Sequence, residues 1–136
     1  MIAFLDANVL IYLIEGARPV AERVQEQLTR IASAEPDLCV AVSRLSWLEC
    51  RVGQMKCDDA RTLASYDNFF AQPDLIFVEL TANVVALATS IRARHGVKTP
   101  DALQAACCLQ LGDEHLFITG DKAFGNVAGL NTYLLH

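Results

Sequence analysis

The sequence predicts an α/β domain built on a mostly parallel sheet of about five strands with helices on both faces. Three observations carry this reading. Short apolar runs of strand length alternate along the chain with longer stretches whose apolar residues recur at helical spacing, the pattern of repeated crossovers between parallel strands. Hydrophobic residues make up 53% and charged residues 20%, which suits strands covered on both faces and excludes a disordered chain. Lone carboxylates stand just past several apolar runs, at the strand ends where open α/β sheets place their ligands.

Residues 1–5 (MIAFL) form the first run, which stops at Asp6. After Asn8, read as an N-cap, Val9, Leu10, Leu13 and Ile14 return at helical spacing. A turn at 16–19 leads into a second helix opened by Pro19, with Val20, Val24, Leu28 and Ile31 inside, ending near Ala34. Residues 38–42 (LCVAV) read as a second buried strand, and Ser43 then caps a helix whose inward stripe is Leu45, Leu48 and Val52. Glu49 falls within that stripe. A buried Glu is rare unless paired or bound to a metal, because desolvating a lone charge is costly.

Asp58 and Asp59 open another helix, with Ala60, Leu63, Ala64 and Phe70 facing inward. Past Pro73, residues 75–80 (LIFVEL) read as a third strand. Thr81 then caps a helix holding Val84, Val85, Leu87, Ala88 and Ile91 inside, with His95 as a capping residue at its carboxyl end and Gly96 as its stop. Thr99 as N-cap and Pro100 at the first helical position put Asp101 in the first turn of the helix that follows. Residues 115–119 (HLFIT) form a fourth strand ending at Gly120, Asp121 and Lys122, and residues 131–135 (NTYLL) a short fifth strand at the sheet edge. One domain, 1–136, accommodates all of this, and a chain of this size buries about 68% of its unfolded surface.

The five cysteines, Cys39, Cys50, Cys57, Cys107 and Cys108, are odd in number and lack zinc-like spacing, so they are expected as reduced, buried residues of a cytoplasmic protein. The apolar N-terminus is broken by Asp6 and Asn8 and has no basic lead-in, so neither signal peptide nor membrane anchor is expected. A formal charge of −5 does not favour nucleic acid at first sight. If four of the sixteen acids converge on a cation, however, the other twelve nearly balance the eleven Lys and Arg residues. Arg44, Arg94, Lys98 and Lys122 lie near or between those acids and are the candidate substrate contacts, with Arg51, Lys56 and Arg92 nearby in sequence. Neither His115 nor His136 has a partner identifiable from spacing.

In a parallel sheet with right-handed crossovers, every strand's carboxyl end lies on one rim. Asp6 and Asp121 follow strands directly, while Glu49 and Asp101 lie in the first turns of helices that begin at or near that rim. Their convergence is costly without a cation, because neighbouring carboxylates raise one another's pKa. Oxygen-only donors favour Mg²⁺ or Mn²⁺ over zinc. Such an ion makes a bound water acidic enough to attack phosphorus, and a pair of ions about 3.5–4 Å apart stabilises both attacking and leaving oxygens. The implied chemistry is phosphodiester hydrolysis with no side-chain nucleophile.

The segments LDANVLIY at 5–12, SWLE at 46–49, TPDALQAA at 99–106 and ITGDKAF at 118–124 together resemble the PIN-domain ribonucleases, specifically the VapC-type toxins of toxin-antitoxin pairs, over nearly the whole chain. The resemblance implies a PIN-like three-layer sandwich. It casts Asp6, Glu49, Asp101 and Asp121 as the metal-binding acids, Asn8 as support for the first of them and Thr119 as the polar residue before the last. It implies Mg²⁺- or Mn²⁺-dependent endonucleolytic cleavage of single-stranded or loop RNA, a VapB-like antitoxin covering the active-site groove, and commonly a homodimer. Gly120 departs from the pattern, standing where many relatives carry Asn.

Other readings are weaker. A receiver domain needs a phosphorylated Asp after its third strand, where this chain has Thr81, Ala82 and Asn83, and a dehalogenase-like phosphatase wants Asp at position 8. A PIN-like RNA- or protein-binding module without nuclease activity and a housekeeping RNA-processing nuclease share the same fold and stay as alternatives. On sequence alone, Asp6→Ala or Asp101→Ala should abolish cleavage and leave metal-free stability unchanged or slightly raised.

Overall fold

The computed structural model describes residues 1–136. Its elements are β1 (Ile2–Leu5), α1 (Ala7–Glu15), α2 (Arg18–Ala34), β2 (Cys39–Ser43), α3 (Arg44–Lys56), α4 (Ala60–Phe70), β3 (Ile76–Val78), α5 (Ala82–His95), α6 (Thr99–Leu109), β4 (His115–Thr119), a 3₁₀ helix (Lys122–Asn126) and β5 (Thr132–Leu134). The five strands form one sheet in the order β3-β2-β1-β4-β5, and every pairing is parallel. β1, the first strand made, is the middle of the sheet, with Phe4 opposite Ala41 on one side and Phe117 on the other.

Alternation along the central strands divides the interior in two. Phe4 and Phe117 point to one face, where they stack at 5.5 Å and Phe117 meets Phe124 at 4.6 Å, beneath the buried residues Val84, Ala88 and Ile91 of α5 and Ala102, Ala105 and Ala106 of α6. Ala3, Leu5 and Ile118 point to the other, against Val9 and Leu10 of α1, Val24 of α2, Cys50 of α3 and Tyr66 and Phe70 of α4. This gives a three-layer sandwich, helices on sheet on helices, with all the strands' carboxyl ends on one rim.

Most elements match the sequence reading, and the exceptions have local causes. α1 begins one residue after Asp6, whose Oδ1 accepts the Ala7 N–H at 2.9 Å, so Asp6 and not Asn8 is the N-cap. α6 begins at Thr99 with Lys98 in the cap position and no side-chain cap bond. Leu48 and Val52 of α3 are exposed, and the inward residues are Ser46 and Cys50. The two stripes have the same period offset by two residues; the small one faces in because α3 packs between α1, α4 and α6, where short side chains permit close approach. On α4 the buried residues are Tyr66 and Phe70, while Ala60 and Ala64 face solvent. β3 is only three residues long.

Gly96 ends α5 in the left-handed conformation at φ 66°, as its sequence position predicts. His95 is not a helix cap: its Nε2 accepts the Ala128 N–H at 3.4 Å, tying the end of α5 to the segment before β5. His115 also has a structural task, since it is buried and its Nε2 accepts the Asn131 N–H at 3.0 Å beside the edge strand. All five cysteines are free, but Cys39 and Cys57 are exposed and only the other three are core residues. No helix is long and apolar enough to cross a membrane.

Candidate active site

Asp6 occupies the end of the central strand and is 5% exposed. Its Oδ1 caps α1, and its Oδ2 accepts from Thr119 Oγ1 at 2.8 Å and Asn8 Nδ2 at 3.1 Å. Thr119 is the last residue of β4, so one hydroxyl joins the two central strand ends. Burial pushes the Asp6 carboxyl up to about 6, partly opposed by the Thr119 and Ala7 hydrogen bonds and reinforced by the charges of Asp101 and Glu49.

Asp101 is brought to Asp6 by the first turn of α6, while Glu49, expected in the first turn of its helix, lies in the second turn of α3. Both carboxyls lie above the ordinary carboxylate range, in each case chiefly through desolvation. The Asp101 charge raises Glu49 further, while Gln104 favours its charged form. Asp121 raises Asp101, against the pull of Lys98. These charge couplings link the four predicted acids into one neighbourhood. Glu49 as a residue is exposed, so the sequence expectation of a Glu embedded in an apolar face is corrected: its carboxyl end is drawn to the rim while Leu48 and Val52 face water.

Two supporting residues were not singled out from the sequence. Gln104 lies one turn after Asp101 and Ser46 one turn before Glu49, each on the same helix face as its acid. Ser43 Oγ donates to Gln104 Oε1 at 2.7 Å, Gln104 Nε2 donates to Ser46 Oγ at 2.9 Å, and the Ser46 N–H donates to Ser43 Oγ at 3.0 Å. This buried network fixes α6 against α3 and so fixes Asp101 relative to Glu49. The legible signal was a polar residue at i+3 from one acid and another at i−3 from the other. Gln104→Leu removes two buried hydrogen bonds and leaves the Ser43 and Ser46 hydroxyls only each other, at 3.3 Å, which costs about 1–3 kcal/mol and should lower the melting temperature by roughly 4–10 °C in circular dichroism. An unchanged melting temperature would deny the network this role.

Asp121 follows β4. Its N–H donates to Thr119 Oγ1 at 3.0 Å and its Oδ1 accepts the Ala123 N–H at 2.9 Å, leaving Oδ2 free of the protein. Gly120 is held by Asn8 Oδ1, which accepts its N–H at 3.1 Å. The departure from Asn at this position has a steric cause. A Cβ on Gly120 would come within 2.8 Å of Tyr12 Cε2, so the Tyr12 ring occupies the space a larger residue would need. Asn8 therefore supports both ends of the site, through Asp6 and through the residue before Asp121.

Of the candidate basic residues, Arg44 is committed elsewhere: its guanidinium makes a two-pronged pair with Glu79 at 3.0 and 2.8 Å and lies 4.1 Å over the Phe77 ring. Arg94, Lys98 and Lys122 are exposed. Lys98 is the one whose charge reaches an acid of the site.

A hard divalent cation fits these residues. The donors are carboxylate oxygens, and the carboxyls of Asp6, Glu49 and Asp101 are held above their ordinary range, as expected where negative charge lacks a counter-ion. No three acidic, histidine or cysteine side chains close on a single point as a complete coordination group. The fit therefore rests on donor type alone: carboxylate oxygens without nearby sulfur or imidazole are the ligands of hard cations.

A sequence model of the PIN domain family matches residues 3–130. The chain belongs to the PIN domain family. Solved structures share the fold of this PIN domain along its whole length. VapBC2 from Rickettsia felis, bound to a DNA fragment from their promoter, superposes with a TM-score of 0.78 at 17% identity, covering 100% of both chains. A toxin-antitoxin complex from Klebsiella pneumoniae gives 0.72 at 22% identity over 98% of both. VapBC-1 from nontypeable Haemophilus influenzae gives 0.71 at 18% identity over 99% of this chain and 98% of the other. At such identities the likeness is one of fold. No curated protein sequence matches the chain.

Proposed function

We propose that this PIN domain is a metal-dependent endoribonuclease and the toxin of a toxin-antitoxin pair. The observation that carries the reading is Asp6, a buried carboxylate at the end of the central strand, with its pKa pushed up to about 6 and three further acids coupled around it. A scaffold gains nothing from four clustered charges, whereas a phosphodiesterase needs them to hold a cation.

Mg²⁺ or Mn²⁺ bound there would supply Lewis acidity toward water and phosphate. Asp6 and Asp101 would hold it most directly, with Glu49 and the free Oδ2 of Asp121 reaching it directly or through water. Thr119 and Asn8 keep the Asp6 carboxylate aimed, and the Gln104 network keeps α6 in register with α3. Lys98, Lys122 and Arg94 are the available cations for the RNA backbone, while Arg44 would first have to leave Glu79.

The toxin assignment draws on neighbours of like fold that are VapBC and toxin-antitoxin complexes, and it brings with it a VapB-like antitoxin and a homodimer. The test is incubation of purified protein with a panel of tRNAs and ribosomal RNA fragments in Mg²⁺, Mn²⁺ or EDTA. Discrete cuts that need metal are expected. Folded, antitoxin-free protein that cuts nothing would move the assignment to a binding module.

A further inference from the structure

Beside Asp121 lies a feature the acidic site does not use. Tyr12 is one turn beyond Asn8 on α1, and its ring rests on Gly120, the residue immediately before Asp121. That ring is also a wall of a groove of about 140 Å³, whose other sides are Val20, Arg23, Val24, Leu135 and His136. The groove's far wall is fixed, because buried Gln27 clamps the backbone of His136 from both sides, Nε2 donating to its carbonyl at 2.8 Å and Oε1 accepting its N–H at 3.1 Å. Arg23 is exposed and takes part in none of the chain's ion pairs.

A half-exposed aromatic ring, aliphatic walls and one uncommitted guanidinium are what a nucleotide of single-stranded RNA requires: a face for the base and a cation for its phosphate. Without a carboxylate side chain in its lining the groove does not suit a metal ion, and its aromatic and aliphatic walls give a base the contact that a small free anion would leave unused. We infer that this groove is a nucleotide subsite, in which Tyr12 stacks a base of the RNA strand adjacent to the bond presented to Asp121 and Arg23 pairs with that nucleotide's phosphate. The inference rests on the nuclease reading and adds to it a binding residue on α1 and one on α2. It also gives Gly120 a role, since any larger residue there would push the stacking ring out of place.

The test is run on the non-cleaving Asp6→Asn protein, with binding of short oligouridine and oligoadenosine RNAs followed by fluorescence anisotropy, and in parallel on the cleaving protein. Tyr12→Leu keeps an apolar side chain over Gly120 but removes the aromatic face, and should weaken RNA binding by about 5- to 150-fold. Tyr12→Phe should bind as the parent does. Arg23→Ala should reduce the salt dependence of binding by about one phosphate contact. In the cleaving protein, Tyr12→Leu should raise KM with kcat little changed.

RNA binding that depends on Tyr12 and Arg23, in a protein that cuts nothing, would uphold the subsite and overturn the nuclease. Cleavage and binding identical in wild type and Tyr12→Leu would overturn the subsite and uphold the nuclease. A groove that serves a protein segment instead would show the second pattern.

Discussion

Asp6→Asn is expected to abolish metal-dependent RNA cleavage, lowering kcat/KM by roughly 10³-fold or more, while the protein stays folded. The neutral amide has the same shape and its oxygen can still accept the Ala7 N–H, so the α1 cap survives. Its NH2 faces the Asn8 Nδ2 donor, and that one hydrogen bond is lost along with the negative charge that would hold the cation. The structure alters the sequence-based expectation for Asp6→Ala. That variant also removes the α1 cap, worth about 0.5–2 kcal/mol, and deprives Thr119 Oγ1 and Asn8 Nδ2 of their shared acceptor. Asp6→Ala should therefore melt below Asp6→Asn in EDTA, although both are inactive. Asp101→Ala carries no such cap bond and keeps the original expectation. Residual cleavage by Asp6→Asn within a few-fold of wild type would remove Asp6 from the metal site.

The second large effect is on stability against pH. In the folded, metal-free protein the Asp6 carboxyl titrates near 6, above its ordinary value of 3.8, so the folded state binds the proton more tightly than the unfolded state does. Its stabilising contribution is complete below about pH 4 and is lost as pH rises toward 6, roughly 3 kcal/mol in all. Glu49 and Asp101 are raised as well and act in the same direction. Asp59 and Glu79 are lowered, by Thr62 and Arg44 respectively, so their contributions are present at neutral pH and lost in acid. More than half of the Asp6 contribution is already gone at pH 5, so metal-free protein should melt about 5 °C higher at pH 5 than at pH 7.5. Mg²⁺ at pH 7.5 should restore much of the difference, because it binds the ionised folded site. Asp6→Asn should flatten both responses, and a wild-type melting temperature equal at the two pH values would contradict the buried charge.

The meeting of the four acids on one rim was legible because Asp6 and Asp121 end apolar runs, Glu49 interrupts a helical stripe and Thr99-Pro100 places Asp101 at a helix start, while the parallel alternation of elements dictates a common rim. Strand and helix order followed from the same alternation. What the sequence concealed were choices made by neighbours. On α3, Leu48 and Val52 form as good a stripe as Ser46 and Cys50, and only close packing against α1 and α6 decides between them. Ser46 and Gln104 look like surface residues until Ser43 is seen between them. Asn8 has the composition of a cap, but Asp6 already fills that post and Asn8 turns to Gly120 instead. Tyr12 reads as an ordinary apolar position of α1, and its meaning depends on a glycine more than a hundred residues away.

That separation has a consequence for how the molecule comes into being. β1 emerges first, yet it is paired on both sides by strands that follow much later, and its partner β4 begins at His115. The bond between Thr119 and Asp6 closes a loop spanning 113 positions. Such distant contacts form late, after the entropy of a long loop has been overcome. A chain still being synthesised therefore has neither its complete sheet nor its assembled acids until β4 has left the ribosome, and any product truncated before that strand lacks Asp121 and the Thr119 hydroxyl that holds Asp6. Order of synthesis alone withholds the assembled acidic rim until all but about the last eighth of the chain is in place.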